Sequence, residues 1–212
     1  MDRDAQREAL LKAALPHVPF DGWTRTALQA GARDAGIDQA LADNAFPGGM
    51  AELLDFYHRH ADIEMVRALE ARSDLATLKT RERVALAVRL RLEAEAGHRE
   101  AIRQALSFLA LPTNAPLAAK CLYRTVDAIW YAAGDKATDF SFYTKRALLA
   151  GVYASTVLYW LNDKSDGFAE TWAFLDRRIA DVMKIYEIRA RFDRFAGQLP
   201  DPLGLFRRSA TR

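Results

Sequence analysis

A chain of 212 residues that is 50% hydrophobic and 27% charged can bury one sizeable core, which excludes a disordered polypeptide. A formal net charge of +2 gives no case by itself for a polyanionic partner. The single cysteine, Cys121, excludes an internal disulfide and suits a reducing compartment, and because Met1-Asp2-Arg3-Asp4 leads straight into a helical pattern, no secretory or organelle leader is expected.

In chain order, the apolar spacing of Leu10, Leu11, Ala14 and Leu15 predicts a first helix from Asp4 to Leu15, ended by Pro16. His17 to Gly22 reads as a turn. A second helix from Ala27 to Ala35, entered through Trp23 and Thr24, closes at Gly36, and a short third helix follows its cap, Asp38, to Asn44. Phe46-Pro47-Gly48-Gly49 breaks the pattern before a long helix from Met50 to Arg72. Further helices are predicted over Leu78–Glu95, Arg99–Leu109 and Pro116–Tyr131, the last with proline in its first turn. No run alternates with period two long enough for a strand, so the expected fold class is all-α.

The stretch from Trp130 to Trp160 organises the rest. One helix stops at Gly134, a polar turn follows with Asp135, and Thr138 or Asp139 can cap a second helix over Phe140–Leu161. From Ala147 to Leu161 that helix has fifteen residues without a charge, which predicts burial all round in a bundle, a ligand cavity or a dimer seam. Fifteen residues are too few for a bilayer span, which needs about 20. In the last helix Phe168, Trp172, Leu175, Ile179, Val182 and Tyr186 repeat at 4, 3, 4, 3, 4, a heptad seam made to pack along another helix. Beyond it Ile185, Ile188, Phe192 and Phe195 form an apolar stripe bordered by Lys184, Arg189, Arg191 and Arg194. Leu203, Leu205 and Phe206 follow in a basic tail interrupted by Pro200 and Pro202.

No constellation for catalysis emerges. The third helix, where a DNA-reading helix would lie, carries Asp38 and Asp43 and no cation, so phosphates would repel it. One Glu-x-x-His, Glu95 to His98, stands where a di-iron bundle needs two, and solvent exposure is the expected state of His98, His58 and His60. Cys121 has no nearby histidine and reads as an inert buried thiol. Asp135 and Asp139 read as helix caps. No catalytic residue, metal or cofactor is therefore assigned. What remains is the apolar surface of the two helices around Gly134, carrying Leu122, Ile129, Leu148, Leu149, Val152, Tyr153, Val157 and Trp160. Core packing and a ligand cavity account for it equally well.

Trp130-Tyr-Ala-Ala-Gly-Asp135, Asp139-Phe-Ser-Phe-Tyr-Thr-Lys-Arg146 with the Ala-Leu-Leu-Ala after it, and Thr171-Trp-Ala-Phe-Leu-Asp-Arg-Arg-Ile179 fall in an order that resembles the ubiquinone-biosynthesis accessory family. The likeness extends over most of residues 15–185. It implies a fold like that of the TetR repressors, with a helix-turn-helix-like head over residues 1–49; given its acidic third helix, this head is not expected to bind nucleic acid. A lipid-binding and dimerisation body over 50–197 and a tail over 198–212 complete the layout. It further implies a non-catalytic protein that holds an isoprenoid quinone precursor against the eight apolar residues named above and presents it to a partner hydroxylase. By that resemblance Phe142, Tyr143 and Arg146 form the hydroxylase-binding patch, Phe142 standing where the family more usually has tryptophan. Ile188, Phe192, Phe195, Leu205 and Phe206 are the expected membrane contact. The heptad seam and the small residues Ala147, Gly151 and Ala154 are expected to pair in a symmetric homodimer. The implied location is the bacterial cytoplasm, peripheral on the inner membrane, and mitochondrial in eukaryotic relatives. A TetR-like ligand-responsive repressor is the alternative, and the acidic third helix speaks against it.

Overall fold

The computed structural model of the protein describes residues 3–135 and 140–196, and for 140, 141, 183 and 185–196 it describes the backbone alone. Ten α-helices follow one another: α1 (Arg3–Ala14), α2 (Val18–Asp21), α3 (Arg25–Asp34), α4 (Gln39–Asn44), α5 (Gly49–Glu70), α6 (Thr80–Glu93), α7 (Arg99–Leu109), α8 (Ala115–Ala132), α9 (Phe140–Asn162) and α10 (Ala169–Ala196). No strand occurs among the described residues, so the chain is all-α.

Local chemistry sets most of the boundaries. The Thr24 hydroxyl accepts the Ala27 N–H and the Asp38 carboxylate accepts that of Ala40, fixing the starts of α3 and α4. Two elements differ from expectation. The turn after Pro16 winds into α2, because Pro19 in its first turn is already set to a helical φ. Helix α6 begins at Thr80 rather than Leu78, since Leu78 is extended and the Glu82 side chain turns back to accept the Lys79 N–H.

The head α1–α4 shares one buried core with the body. Arg7 lies between the rings of Phe46 and Phe56, 4.4 and 4.6 Å from their centroids, and pairs with Glu52 at 2.6 Å. Trp23, fully buried, donates its indole N–H to the Ala101 carbonyl of α7. Helices α1 and α3 cross closely at Gly31, where an added Cβ would stand 2.5 Å from the backbone of Ala13 and Ala14. Backbone atoms cannot swing aside as a side chain can, so Gly31→Ala is expected to lower the unfolding free energy by about 1–3 kcal/mol. An unchanged urea midpoint would contradict that close crossing.

The apolar helix α9 is not buried all round. Ala147, Gly151 and Leu158 lie on an open face, with Leu158 60% exposed. The α10 seam, by contrast, is used inside the chain. Trp172 and Leu175 are buried, Phe168, Ile179 and Val182 pack on the same core, and α10 lies against α9 and α6. The first two turns of the seam are thus covered within the chain itself. The side chain of Tyr186 lies outside the described residues.

Candidate functional site

Between α5, α6, α7, α8 and α9 the packing leaves a cavity of about 340 Å³. That lies in the range of small-molecule sites, about 300–1,000 Å³. Helix α7 supplies Ile102, Leu106 and Leu109, spaced four and three apart on one face. Helix α8 adds Ala118, Cys121, Leu122 and Thr125, and α9 adds Tyr153, Ala154, Val157 and Leu158. Ala118 and Ala154 leave space that larger side chains would fill.

Tyr57 and His58 of α5 and Arg91 of α6 complete the wall, backed by a network of buried charges. Arg91 meets Asp62 at 3.3 Å and Glu95 at 3.6 Å. Asp62 also takes the Thr125 hydroxyl at 2.8 Å and Arg124 at 3.3 Å, while Tyr57 donates to Glu95 at 2.6 Å. Arg124 and Lys120 share Asp55. Burial lifts the Asp62 carboxyl above its usual range despite Arg91 beside it, and burial also lifts the Tyr57 and Tyr153 phenols and the Cys121 thiol. For Glu95 burial acts upward too, but His98, Arg91 and Tyr57 together hold it below its usual value. Each cation is matched by a carboxylate, so the wall offers an incoming ligand no unmatched charge.

His58 is the one polar group of this wall whose ring nitrogen Nε2 is buried and finds no partner among the described residues. Burial, with Arg91 and Arg124 adding to it, lowers its pKa to about 3, so the imidazole is neutral. The expected solvent-exposed histidine is thus a cavity-wall residue. His98, also read as exposed, instead stands at the edge of this network, 3.6 Å from the buried Glu95.

Of the eight apolar residues singled out by sequence, Leu122, Tyr153 and Val157 line this cavity. Leu149 and Val152 line a second one described below, Ile129 and Trp160 are sealed in the core, and half-buried Leu148 lines neither. The α7 wall was missed, although its clean i, i+4, i+7 stripe was visible in the sequence.

The α8–α9 turn is held by a clamp rather than by caps. Asp135, read as a cap, is instead met by Lys145 at 2.7 Å and Arg146 at 3.7 Å. Arg146 lies 3.3 Å above the centre of the Phe142 ring, binds Asp127 at 2.6 Å and is only 7% exposed. Of the three residues expected to meet the hydroxylase, Arg146 is thus the buried one, packed against the Phe142 ring. The exposed aromatics here are Tyr143 and, on α8, Tyr131, at 68% and 73%. Thr138 and Asp139 lie outside the described residues, as do the side chains of Ile188, Phe192 and Phe195 and the whole of Leu205 and Phe206. Among the described residues no helix is long and apolar enough to cross a membrane.

In the head, Asp43 of α4 takes Arg25 and Gln29 at 2.8 and 2.7 Å. Those hydrogen bonds hold the Asp43 carboxyl down at about 2 and occupy a cation that would otherwise be free for phosphate.

The family model described as COQ9 matches residues 115–186, the span that holds α8, α9 and most of α10. Ubiquinone biosynthesis protein COQ9-A, mitochondrial, of Xenopus laevis is 38% identical over 183 residues, covering 84% of this chain and 57% of that protein. The human protein named COQ9, mitochondrial, is 37% identical over 182 residues, covering 83% and 57%, and the Drosophila melanogaster one 36% over 185, covering 86% and 56%. The chain thus spans a little over half the length of these relatives. Among solved structures, a TetR transcriptional regulator from Nitrosomonas europaea superposes with a TM-score of 0.66 at 20% identity, covering 83% of this chain and 97% of that one. By sequence, then, this chain is a relative of the COQ9 proteins of ubiquinone biosynthesis, and by fold it is built on a TetR-like helical scaffold.

Proposed function

We propose that the protein is a non-catalytic accessory of ubiquinone biosynthesis that holds the isoprenoid part of a quinone precursor in the five-helix cavity. The observation that carries this reading is the cavity itself: about 340 Å³, apolar on α7, α8 and α9, with every charge behind its wall matched. A hydrocarbon chain loses nothing by leaving water for such a space, whereas a charged group would arrive without a counter-charge. The chain does no chemistry of its own in this reading. A partner hydroxylase acts on the head group, at the membrane where such lipids reside. The open face of α9, with Ala147, Gly151 and Leu158, is the surface proposed for a second copy.

Titrating a farnesylated phenol into the protein tests the cavity. Ala154→Trp, which places an indole in it, is expected to weaken binding at least tenfold while leaving the helical circular dichroism unchanged. A wild type that does not bind the probe, or a variant that binds it equally, would overturn the assignment.

For the hydroxylase, the proposed contact is the exposed pair Tyr131 and Tyr143 with Phe142, aromatic anchors of the kind that dominate interfaces. Tyr143→Ala is expected to weaken hydroxylase binding about tenfold, equivalent to about 1.4 kcal/mol. Undiminished pull-down by the combined Tyr131→Ala and Tyr143→Ala variant would contradict this placement.

A further inference from the structure

The molecule has a second cavity, larger than the first at about 580 Å³, which the reading above does not use. It lies on the other side of α9, closed by the start of α6, the end of α8 and the middle of α10. Its floor is aliphatic: Leu149 and Val152 from α9, Ile179 and Val182 from α10. Its rim is cationic. Lys79 and Arg81 are exposed there and make no ion pair among the described residues, and Lys145 stands beside them.

Two carboxylates, Asp135 and Glu82, lie nearby, and against Lys79, Arg81 and Lys145 they leave the rim a net positive charge. Asp135 holds Lys145 at 2.7 Å, and Glu82 accepts the Lys79 N–H at 2.9 Å. The positive end of the 14-residue helix α6 adds to the field of the two unpaired cations at this rim. In the wall stands Trp130, whose indole N–H is buried without an acceptor among the described residues. Such a donor is costly to leave unpaired, by about 1–3 kcal/mol.

We propose that this second cavity binds a long-chain carboxylate, with the hydrocarbon on the Leu149–Val152–Ile179–Val182 floor and the carboxylate between Lys79 and Arg81 at the start of α6. The two cavities thereby differ in kind: one wall has its charges cancelled, the other has two cations that make no ion pair among the described residues. Charge complementarity selects an anion, and the aliphatic floor selects one carrying a chain. Binding here is independent of whether the first cavity holds an isoprenoid.

The test is titration of monomeric oleate, with oleyl alcohol as its uncharged counterpart. Because the first cavity would itself take an aliphatic chain, two proteins with that cavity filled are compared: Ala154→Trp, and Ala154→Trp carrying Lys79→Ala and Arg81→Ala. Both cations are exposed, so the triple variant is expected to keep its fold, checked by its urea midpoint. Oleate is expected to bind Ala154→Trp, to bind the triple variant at least tenfold more weakly, and to bind Ala154→Trp at least tenfold more tightly than oleyl alcohol does. The site is overturned if the triple variant binds oleate like Ala154→Trp, if Ala154→Trp does not bind oleate, or if the alcohol binds Ala154→Trp as well as the acid. It is equally overturned if only vesicles containing phosphatidylglycerol, and not oleate, respond to the loss of the two cations.

Discussion

Asp62→Ala is expected to lower the unfolding free energy by about 3–5 kcal/mol, the usual effect of breaking a buried ion pair from one side. Asp62 is 4% exposed and serves three partners at once: Arg91, Arg124 and the Thr125 hydroxyl. Without it Arg91 keeps only Glu95 at 3.6 Å, in a place where water cannot compensate. Asp62→Asn, which retains hydrogen bonding but not charge, should fall between the variant and the wild type. Urea denaturation of the three proteins decides the matter. An alanine variant within 1 kcal/mol of wild type would mean that the charges do not depend on one another. The network also matters to the cavity, since an Arg91 left unmatched would put a net charge behind an apolar wall.

The second large effect concerns His58 and pH. Its folded pKa is about 3, against an ordinary 6.5, because burial and then Arg91 and Arg124 disfavour the imidazolium. Between those values the unfolded chain takes up a proton that the folded one refuses. Stability present above pH 6.5 is therefore lost as pH falls, by up to about 1.4 kcal/mol per pH unit. His58→Phe removes that linkage while keeping a ring in the wall. From pH 6 to pH 4 the wild type is expected to lose about 3 kcal/mol more than the variant. Depressed carboxylates such as Glu95 also lose stability in acid, but they do so equally in both proteins. Parallel stability–pH curves would show that His58 is free to protonate in the fold.

Much of the fold was legible because its signals are local. Asp38 caps α4 as its side chain allows, α7 occupies the residues its spacing prescribed, and Gly36, with a φ of 64°, sits just beyond α3 as a closing glycine does. What was not legible is what covers each apolar stripe. The repeat from Phe168 to Val182 shows a seam but not its partner, and the partner proved to be the chain's own α6 and α9. Leu122 in the cavity wall and Ile129 in the core are both apolar residues of α8, and no pattern separates a wall from a core. His58 was read as exposed and Arg146 as a partner contact because neither a cavity wall nor a pairing between separate helices can be seen from the spacing along one helix. Arg124 reaches Asp55 across 69 positions, and Arg146 reaches Asp127 across 19. Sequence spacing shows which face of a helix a charge occupies, but not that three helices bring their charges to one point.

The five-helix cavity is proposed above as a hydrocarbon site. The most direct test is to purify wild type and Ala154→Trp, extract both with organic solvent and identify the released lipids by mass spectrometry. The account predicts an isoprenoid lipid in near-equimolar amount from the wild type and its depletion, at least tenfold, from the variant. Wild-type protein free of lipid, or equal amounts of the same lipid from both, would contradict it.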